Sequence, residues 1–167
     1  MNTVYSYCDS PVGPLLLSGD GTALSGLHFS TGKKAIGADP AWRRVDGAFE
    51  RVKQQLEEYF AGRRKQFEVE LAPRGTEFQM SVWQALQKIP YGETVSYGDV
   101  AEHIGNPKAV RAVGTANGSN PIAIIVPCHR VIAKSGHLQG YFYGLDMKRA
   151  LLELENPKSF ARQGSLF

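Results

Sequence analysis

The chain has 167 residues, 43% of them hydrophobic and 21% charged, with a net charge of +3. That is enough apolar content for one or two small domains with a real core, and too little positive charge to identify a nucleic-acid ligand without looking at its distribution. No apolar run reaches the length of a membrane span, and the start Met1-Asn2-Thr3 lacks the basic region and hydrophobic stretch of a secretory signal. The two cysteines, Cys8 and Cys128, therefore read as reduced thiols of a cytoplasmic protein.

Residues 1–72 read as a β-rich module. Thr3–Tyr7, Leu15–Ser18 and Ala23–Phe29 are short β-compatible runs, separated by the turn signals Ser10-Pro11-Val12-Gly13-Pro14 and Asp20-Gly21. Ser30–Pro40 reads as a loop. After Asp46 the apolar set Phe49, Val52, Leu56, Tyr59 and Phe60 recurs at helical spacing and stops at Gly62. Phe67, Val69 and Leu71 alternate and predict a strand. Residues 73–77, within Ala72-Pro73-Arg74-Gly75-Thr76-Glu77, form a linker.

Residues 78–156 read as a mostly helical module. Thr76 caps a helix, with Gln79 three residues on completing a capping box, and Phe78, Val82, Leu86 and Ile89 share one face. Ser96 caps a helix from Tyr97 to Ile104, which Gly105 ends. Asn106 is the expected cap of a segment with Pro107 at its first position and Lys108–Ala116 following. Two short helices joined by a Gly-Asn turn fit a helix-turn-helix or an ordinary helical hairpin. Asp146 is the expected cap of a last helix, with Met147, Ala150, Leu151 and Leu154 as its apolar face. Residues 157–167 read as a loose tail.

The most informative stretch is Ile124-Ile125-Val126-Pro127-Cys128-His129-Arg130-Val131-Ile132. The β-branched run predicts a buried strand, and Pro127 stops its pairing and turns the chain. Cys128 would then project from the strand end, with His129 and Arg130 supplying a base and a cation that favour thiolate. On these residues alone a buried structural cysteine is the favoured reading.

From Phe78 to Glu155 the chain resembles the O6-alkylguanine-DNA alkyltransferases. The resemblance is carried, in family order and spacing, by Phe78-Gln79-Met80-Ser81-Val82-Trp83, Ile89-Pro90-Tyr91-Gly92-Glu93-Thr94, Ser96-Tyr97-Gly98 and Arg111-Ala112-Val113-Gly114. It continues through Asn117-Gly118-Ser119-Asn120-Pro121, Pro127-Cys128-His129-Arg130-Val131 and Leu151-Leu152-Glu153-Leu154-Glu155. It implies an α+β fold: a small N-terminal antiparallel-sheet module of ribonuclease-H-like type, then a mostly helical module with a helix-turn-helix.

The activity implied is repair of DNA by irreversible transfer of an alkyl group from O6-alkylguanine, and from O4-alkylthymine, to the protein's own cysteine. The damaged base must be flipped out, since its alkylated oxygen lies inside the stack. The resemblance makes Cys128 the alkyl acceptor and His129 the base that draws its proton through a bridging water. Glu155 matches the carboxylate that orients His129, and Asn120 the hinge that ties the preceding turn to Pro127–Arg130. Tyr97 matches the tyrosine that touches the flipped base, Arg111 the finger that fills the vacated stack, and Tyr141 a pocket-wall residue. The backbone carbonyls of Cys128 and Val131 match acceptors for the guanine amino group. Read without the resemblance, Glu155 and Arg111 are solvated charges and Tyr97 a core ring.

The small residues Ala109, Ala112 and Gly114 would let the second helix approach the minor groove, whose pattern is degenerate. Six basic residues in 100–150 (Lys108, Arg111, Arg130, Lys134, Lys148 and Arg149) against Glu102 and Asp146 fit a surface that follows phosphates. A monomer acting on double-stranded DNA, with no cofactor and no membrane, is the expectation. Some members carry an N-terminal zinc site; with only Cys8 and His28 in that region, no metal is expected here. One departure stands out: Phe142 and Tyr143 follow Tyr141 where small residues or glycine are the rule. This places the loop conformation and pocket width in question, because a bulky residue at positive φ is costly.

Overall fold

The computed structural model describes residues 2–32, 34–138 and 140–158. It resolves into two compact units: one holds the described residues up to Arg74 together with Pro121–Ala123, the other runs from Gly75 to Asn120 and resumes at Ile124. The architecture is α+β, and each unit has its own logic.

In the first unit, β1 (Val4–Cys8), β2 (Leu15–Gly19) and β3 (Leu24–Phe29) form an antiparallel meander, and the two-residue β4 (Arg43–Arg44) adds in parallel beside β1. Strand alternation is clear in β1, where Val4, Ser6 and Cys8 are buried and Tyr5 and Tyr7 lie half-buried on the other face. The helix α1 (Glu50–Phe60) buries Val52, Leu56 and Tyr59, as the spacing predicts, together with Gln55; Phe49 sits before it at φ 63°, Phe60 is half-buried, and Gly62 follows its end at φ 77°.

The strand expected over Phe67–Leu71 is reduced to a single bridge, Leu24 to Leu71. The burial alternation is present, half-buried at Phe67, Val69 and Leu71 and exposed between. However, the buried Gln55 side chain accepts from Glu68 N at 2.8 Å and donates to Glu68 O at 3.3 Å, meeting the backbone's needs without a ladder.

In the second unit, α2 (Glu77–Leu86) starts with the expected capping box: Gln79 N donates to Thr76 Oγ1 and Thr76 N to Gln79 Oε1. A side chain at Gly75 would put its Cβ 2.5 Å from the Trp83 ring, so only glycine fits before that cap. Trp83, 2% exposed, donates from its indole to Ala116 O.

The helix α3 (Tyr97–His103) is capped by Ser96, with Asp99 closing the box, and Gly105 at φ 77° ends it. The next helix, α4 (Val110–Gly118), begins later than the sequence suggests. Asn106–Ala109 forms a hydrogen-bonded turn, Ala109 N donating to Asn106 O, and Ala109 occupies the cap position. Proline at 107 suits the turn as well as a first helical turn, so the motif could not separate the two. α3 and α4 pack together as a helix-turn-helix.

Two corrections concern the site. Ile124–Val126 is not a strand: after a lone bridge at Ile122 the chain turns, with Ile124 at φ 70°. A β-branched residue in that region is strained. Its burial at 1% exposure explains the choice of isoleucine, whereas the turn explains the geometry. Cys128–Arg130 then forms one 3-10 turn, and β6 (Val131–Ile132) pairs in parallel with β5 (Val95–Ser96).

The last helix, α5 (Leu145–Glu155), is preceded by Gly144 at φ 102°, with Asp146 in its first turn instead of at the cap. Its buried face is Lys148, Leu151, Leu152 and Glu155; Met147, Ala150 and Leu154 are only half-buried. The expected tail lies, from residue 159, outside the described residues. No helix among the described residues is long and apolar enough to cross a membrane.

Candidate active site

The 3-10 turn at Cys128–Arg130 is the centre of the second unit. Pairing of β6 with β5 sets it beside the start of α3, because Ser96 both pairs with Ile132 and caps the helix that Tyr97 opens. Asn120, buried at the end of α4, donates from Nδ2 to Val126 O at 2.8 Å, and Asn117 donates to Cys128 O at 3.3 Å. Two asparagines thus hold the carbonyls on either side of Pro127.

Cys128, 6% exposed, lies in the wall of a cavity of about 310 Å³. Tyr97, Gly114, Asn117, Asn120 and the loop Gly140–Tyr143 line the rest. Of the sequence-predicted residues, Cys128, Asn120, Tyr97, Tyr141 and Gly114 meet here. Val131 is fully buried, and Ala109, Arg111 and Ala112 lie along α4 outside the cavity lining, Arg111 and Ala112 exposed.

Phe142 and Tyr143 also line the cavity and stack edge-on, ring centroids 5.0 Å apart. Neither residue takes a positive φ; Gly140 (φ 66°) and Gly144 (φ 102°) absorb that conformation on both sides. The loop therefore keeps its turns despite the bulky residues.

His129 and Glu155 are both buried, and His129 Nε2 lies 2.8 Å from Glu155 Oε2. Burial pushes the imidazole below its ordinary value, outweighing the lift from Glu155, so the ring is neutral at pH 7. The pairing makes Nε2 the N–H donor and leaves Nδ1, which has no protein partner, as the proton acceptor. No hydrogen bond joins His129 to the sulfur directly. Burial tends to raise Glu155, but the hydrogen bonds from His129 and Arg130 and the Arg130 charge outweigh it and hold the carboxyl well below the usual range.

Burial likewise pushes the Cys128 thiol up, opposed by the Asn120 amide, the Lys148 charge and the Tyr141 hydroxyl. Lys148 is fully buried; its ammonium donates to Val131 O at 2.6 Å and to Gly140 O at 3.0 Å, and burial lowers it to about 8. Arg130, 6% exposed, is equally internal. Two of the six cations expected on a phosphate-facing surface are therefore inside, leaving Lys108, Arg111, Lys134 and Arg149 exposed. Their helical register held a signal for Lys148, which shares the i, i+3, i+4, i+7 face of Leu151, Leu152 and Glu155. Arg130 and Asn117 carried no comparable signal. Among the described residues no cluster of His, Cys, Asp or Glu could hold a metal.

Fold and site together define a class: an α+β protein with a helix-turn-helix and a buried cysteine set in a cavity wall, its neighbour in the chain a histidine paired with a glutamate. Comparison with known proteins makes this specific. The 6-O-methylguanine DNA methyltransferase ribonuclease-like domain matches residues 3–73 and the DNA-binding domain of the same name matches 77–157. A methylated-DNA–protein-cysteine methyltransferase of Methanosarcina acetivorans is 57% identical over 151 residues, covering 90% of this chain and 97% of the relative. One from Mycobacterium bovis is 54% identical over 155 residues, 93% of each. The crystal structure of Mycobacterium tuberculosis OGT in complex with DNA superposes with a TM-score of 0.87 at 54% identity, covering 93% of this chain and 94% of that one. The chain belongs to the 6-O-methylguanine DNA methyltransferase family.

Proposed function

We infer that this protein repairs DNA by transferring the methyl or other alkyl group of O6-alkylguanine to its own Cys128, and is consumed in doing so. The observation that carries the reading is Cys128 in the wall of a cavity, followed at once in the chain by a buried, neutral His129 that is paired with Glu155. The relatives' names and the DNA complex of a 54% identical protein support the substrate class.

In this mechanism the thiol proton passes through a bridging water to Nδ1 of His129, while Nε2–H stays on Glu155. The thiolate attacks the alkyl carbon; the S–C bond forms, the C–O6 bond breaks, and the electron pair goes to the guanine. The imidazolium returns its proton to the guanine, so the net change is thiol plus alkylguanine to thioether plus guanine. A thioether does not hydrolyse, which makes the protein stoichiometric. No cofactor is required, since every proton and electron is accounted for.

Access to O6 requires the base to leave the stack. We assign Arg111, exposed on α4, to the gap it leaves, with Ala109, Ala112 and Gly114 giving close approach to the minor groove. Tyr97 and Tyr141 would contact the flipped base, and the Cys128 and Val131 carbonyls its amino group. Asn120 keeps the Pro127 turn in register through its bond to Val126 O. O4-alkylthymine is the second expected substrate. The protein acts as a monomer in a reducing cytoplasm, where both free thiols persist.

The test is mass analysis after mixing the protein with O6-methylguanine duplex. The peptide bearing Cys128 should gain one methyl group per molecule, and Cys128→Ala should gain none while still binding the lesion. Methylation of Cys8, or repeated turnover, would overturn the assignment.

A further inference from the structure

Arg130 donates from Nε to Glu155 Oε1 at 2.8 Å, from Nη2 to Glu155 Oε2 at 3.0 Å, and from Nη1 to Ile89 O at 2.7 Å. Its guanidinium also lies over the Tyr91 ring, 5.8 Å from the centroid. At 6% exposure it has no free face for a phosphate, so its charge is spent on the interior. The Glu155 oxygens are thereby shared: Oε2 is bound by both Arg130 and His129, and Oε1 by Arg130, with Gly92 N at 3.4 Å.

We propose that Arg130 is a positioning residue of the alkyl transfer, a bidentate clamp that fixes the Glu155 carboxylate and offsets its charge so that His129 rests neutral, its Nδ1 open to the thiol proton. The inference rests on the reading of His129 as the base. Without the clamp, an ionised buried carboxylate would face the imidazole alone. It would stabilise imidazolium and so raise the pH below which the acceptor is already protonated when the thiol needs it. An arginine suits the task because its planar fork matches both carboxylate oxygens and never deprotonates. Its third contact, to Ile89 O, anchors the clamp to the segment after α2, so the carboxylate is held from outside its own helix.

The groups that bear on His129 are Glu155 and Lys148 from α5 and Arg130 on its own turn; Tyr91, from the segment after α2, faces Arg130 and Glu155. The two cations disfavour a proton on His129 and Glu155 favours it, so removing Arg130 must shift the balance toward imidazolium. The sign follows: the transfer rate falls as pH drops through the His129 titration, and this acid limb moves to higher pH when Arg130 is lost.

The experiment is single-turnover transfer from O6-methylguanine duplex across the acid range for wild type, Arg130→Gln, Arg130→Lys and His129→Ala. Arg130→Gln should move the acid limb up by roughly one pH unit, the size of shift a neighbouring charge produces. Below the wild-type midpoint it is then slower by about tenfold, with the two rates converging above the variant's shifted midpoint and DNA affinity unchanged. Arg130→Lys, keeping the charge, should leave the limb near its wild-type position.

A lowered melting temperature with an unmoved limb in Arg130→Gln would reduce Arg130 to a structural clamp and overturn the proposal. A limb moved equally by Arg130→Lys would also overturn it. If Arg130→Gln does not fold, the wild-type His129 ring followed by NMR decides: protonation at or above the ordinary histidine value sinks the proposal. His129→Ala at the wild-type rate would remove the base itself, whereas a slow His129→Ala beside an unmoved Arg130→Gln limb would sink the Arg130 inference alone.

Discussion

Lys148 carries an ammonium into the interior of the second unit, where two carbonyl oxygens hold it and the Cys128 sulfur feels its charge. Burying a cation is costly, and the depressed value of about 8 is the measure of that cost. What it supplies is a tie between β6 and the cavity loop, plus a field that favours thiolate. Lys148→Met should therefore raise the pH midpoint of Cys128 labelling by iodoacetamide by about one unit, as loss of a nearby opposite charge does. It should also leave the buried Val131 carbonyl without this donor, at roughly 1–3 kcal/mol, partly offset by removing the buried charge. Lys148→Arg should keep the midpoint near that of wild type. The labelling curve checks both variants.

At the scale of elements, α4 does two jobs with its two faces. Val113, Ala116 and Asn117 face inward, with the Ala116 carbonyl receiving the Trp83 indole, while Arg111 and Ala112 stay exposed. An exposed arginine on this helix can be removed without opening the core. Arg111→Ala should weaken duplex binding, lower the salt dependence of affinity by about one phosphate contact, and slow repair of duplex more than repair of free O6-methylguanine. A free base needs no flipping and leaves no gap. The comparison of single-turnover rates on the two substrates checks this; equal losses would assign Arg111 to the fold.

For the whole molecule, the buried charges of the site set how the second unit responds to acid. His129 is held below its unfolded value, so the unfolded chain binds more protons once pH falls below about 6.5. Glu155 is also held low, so a second loss of stability begins as pH drops below about 4.5. The second unit should then lose stability on acidification in two stages, the first as pH falls below about 6.5 and the second below about 4.5. Its single tryptophan, Trp83, is 2% exposed, and Trp42 belongs to the first unit. Denaturant midpoints read by fluorescence in a Trp42→Phe background would follow the second unit alone. His129→Asn should erase the upper stage, and Glu155→Gln the lower one.

Local rules were enough for elements whose determinants lie within a few residues. The Thr76–Gln79 box, the Ser96 cap, the three strands of the meander and α1 all follow from spacing, capping chemistry and turn residues. The ordered motifs around Cys128, Tyr97, Asn120 and Glu155 likewise make the family legible in the sequence alone. Tertiary structure decided what depends on partners distant in the chain. Gln55 satisfies the Glu68 backbone and so prevents a ladder over Phe67–Leu71. Ile122–Val126 is β-branched because it is buried, yet it turns because two asparagines and the Ile124 conformation bend it toward the Cys128 turn. Arg130 and Lys148 look like surface cations in one dimension and become interior ones only when Glu155, Ile89, Val131 and Gly140 converge on them. Burial of a charge depends on the whole set of groups that can compensate it, and that set is assembled only by the fold.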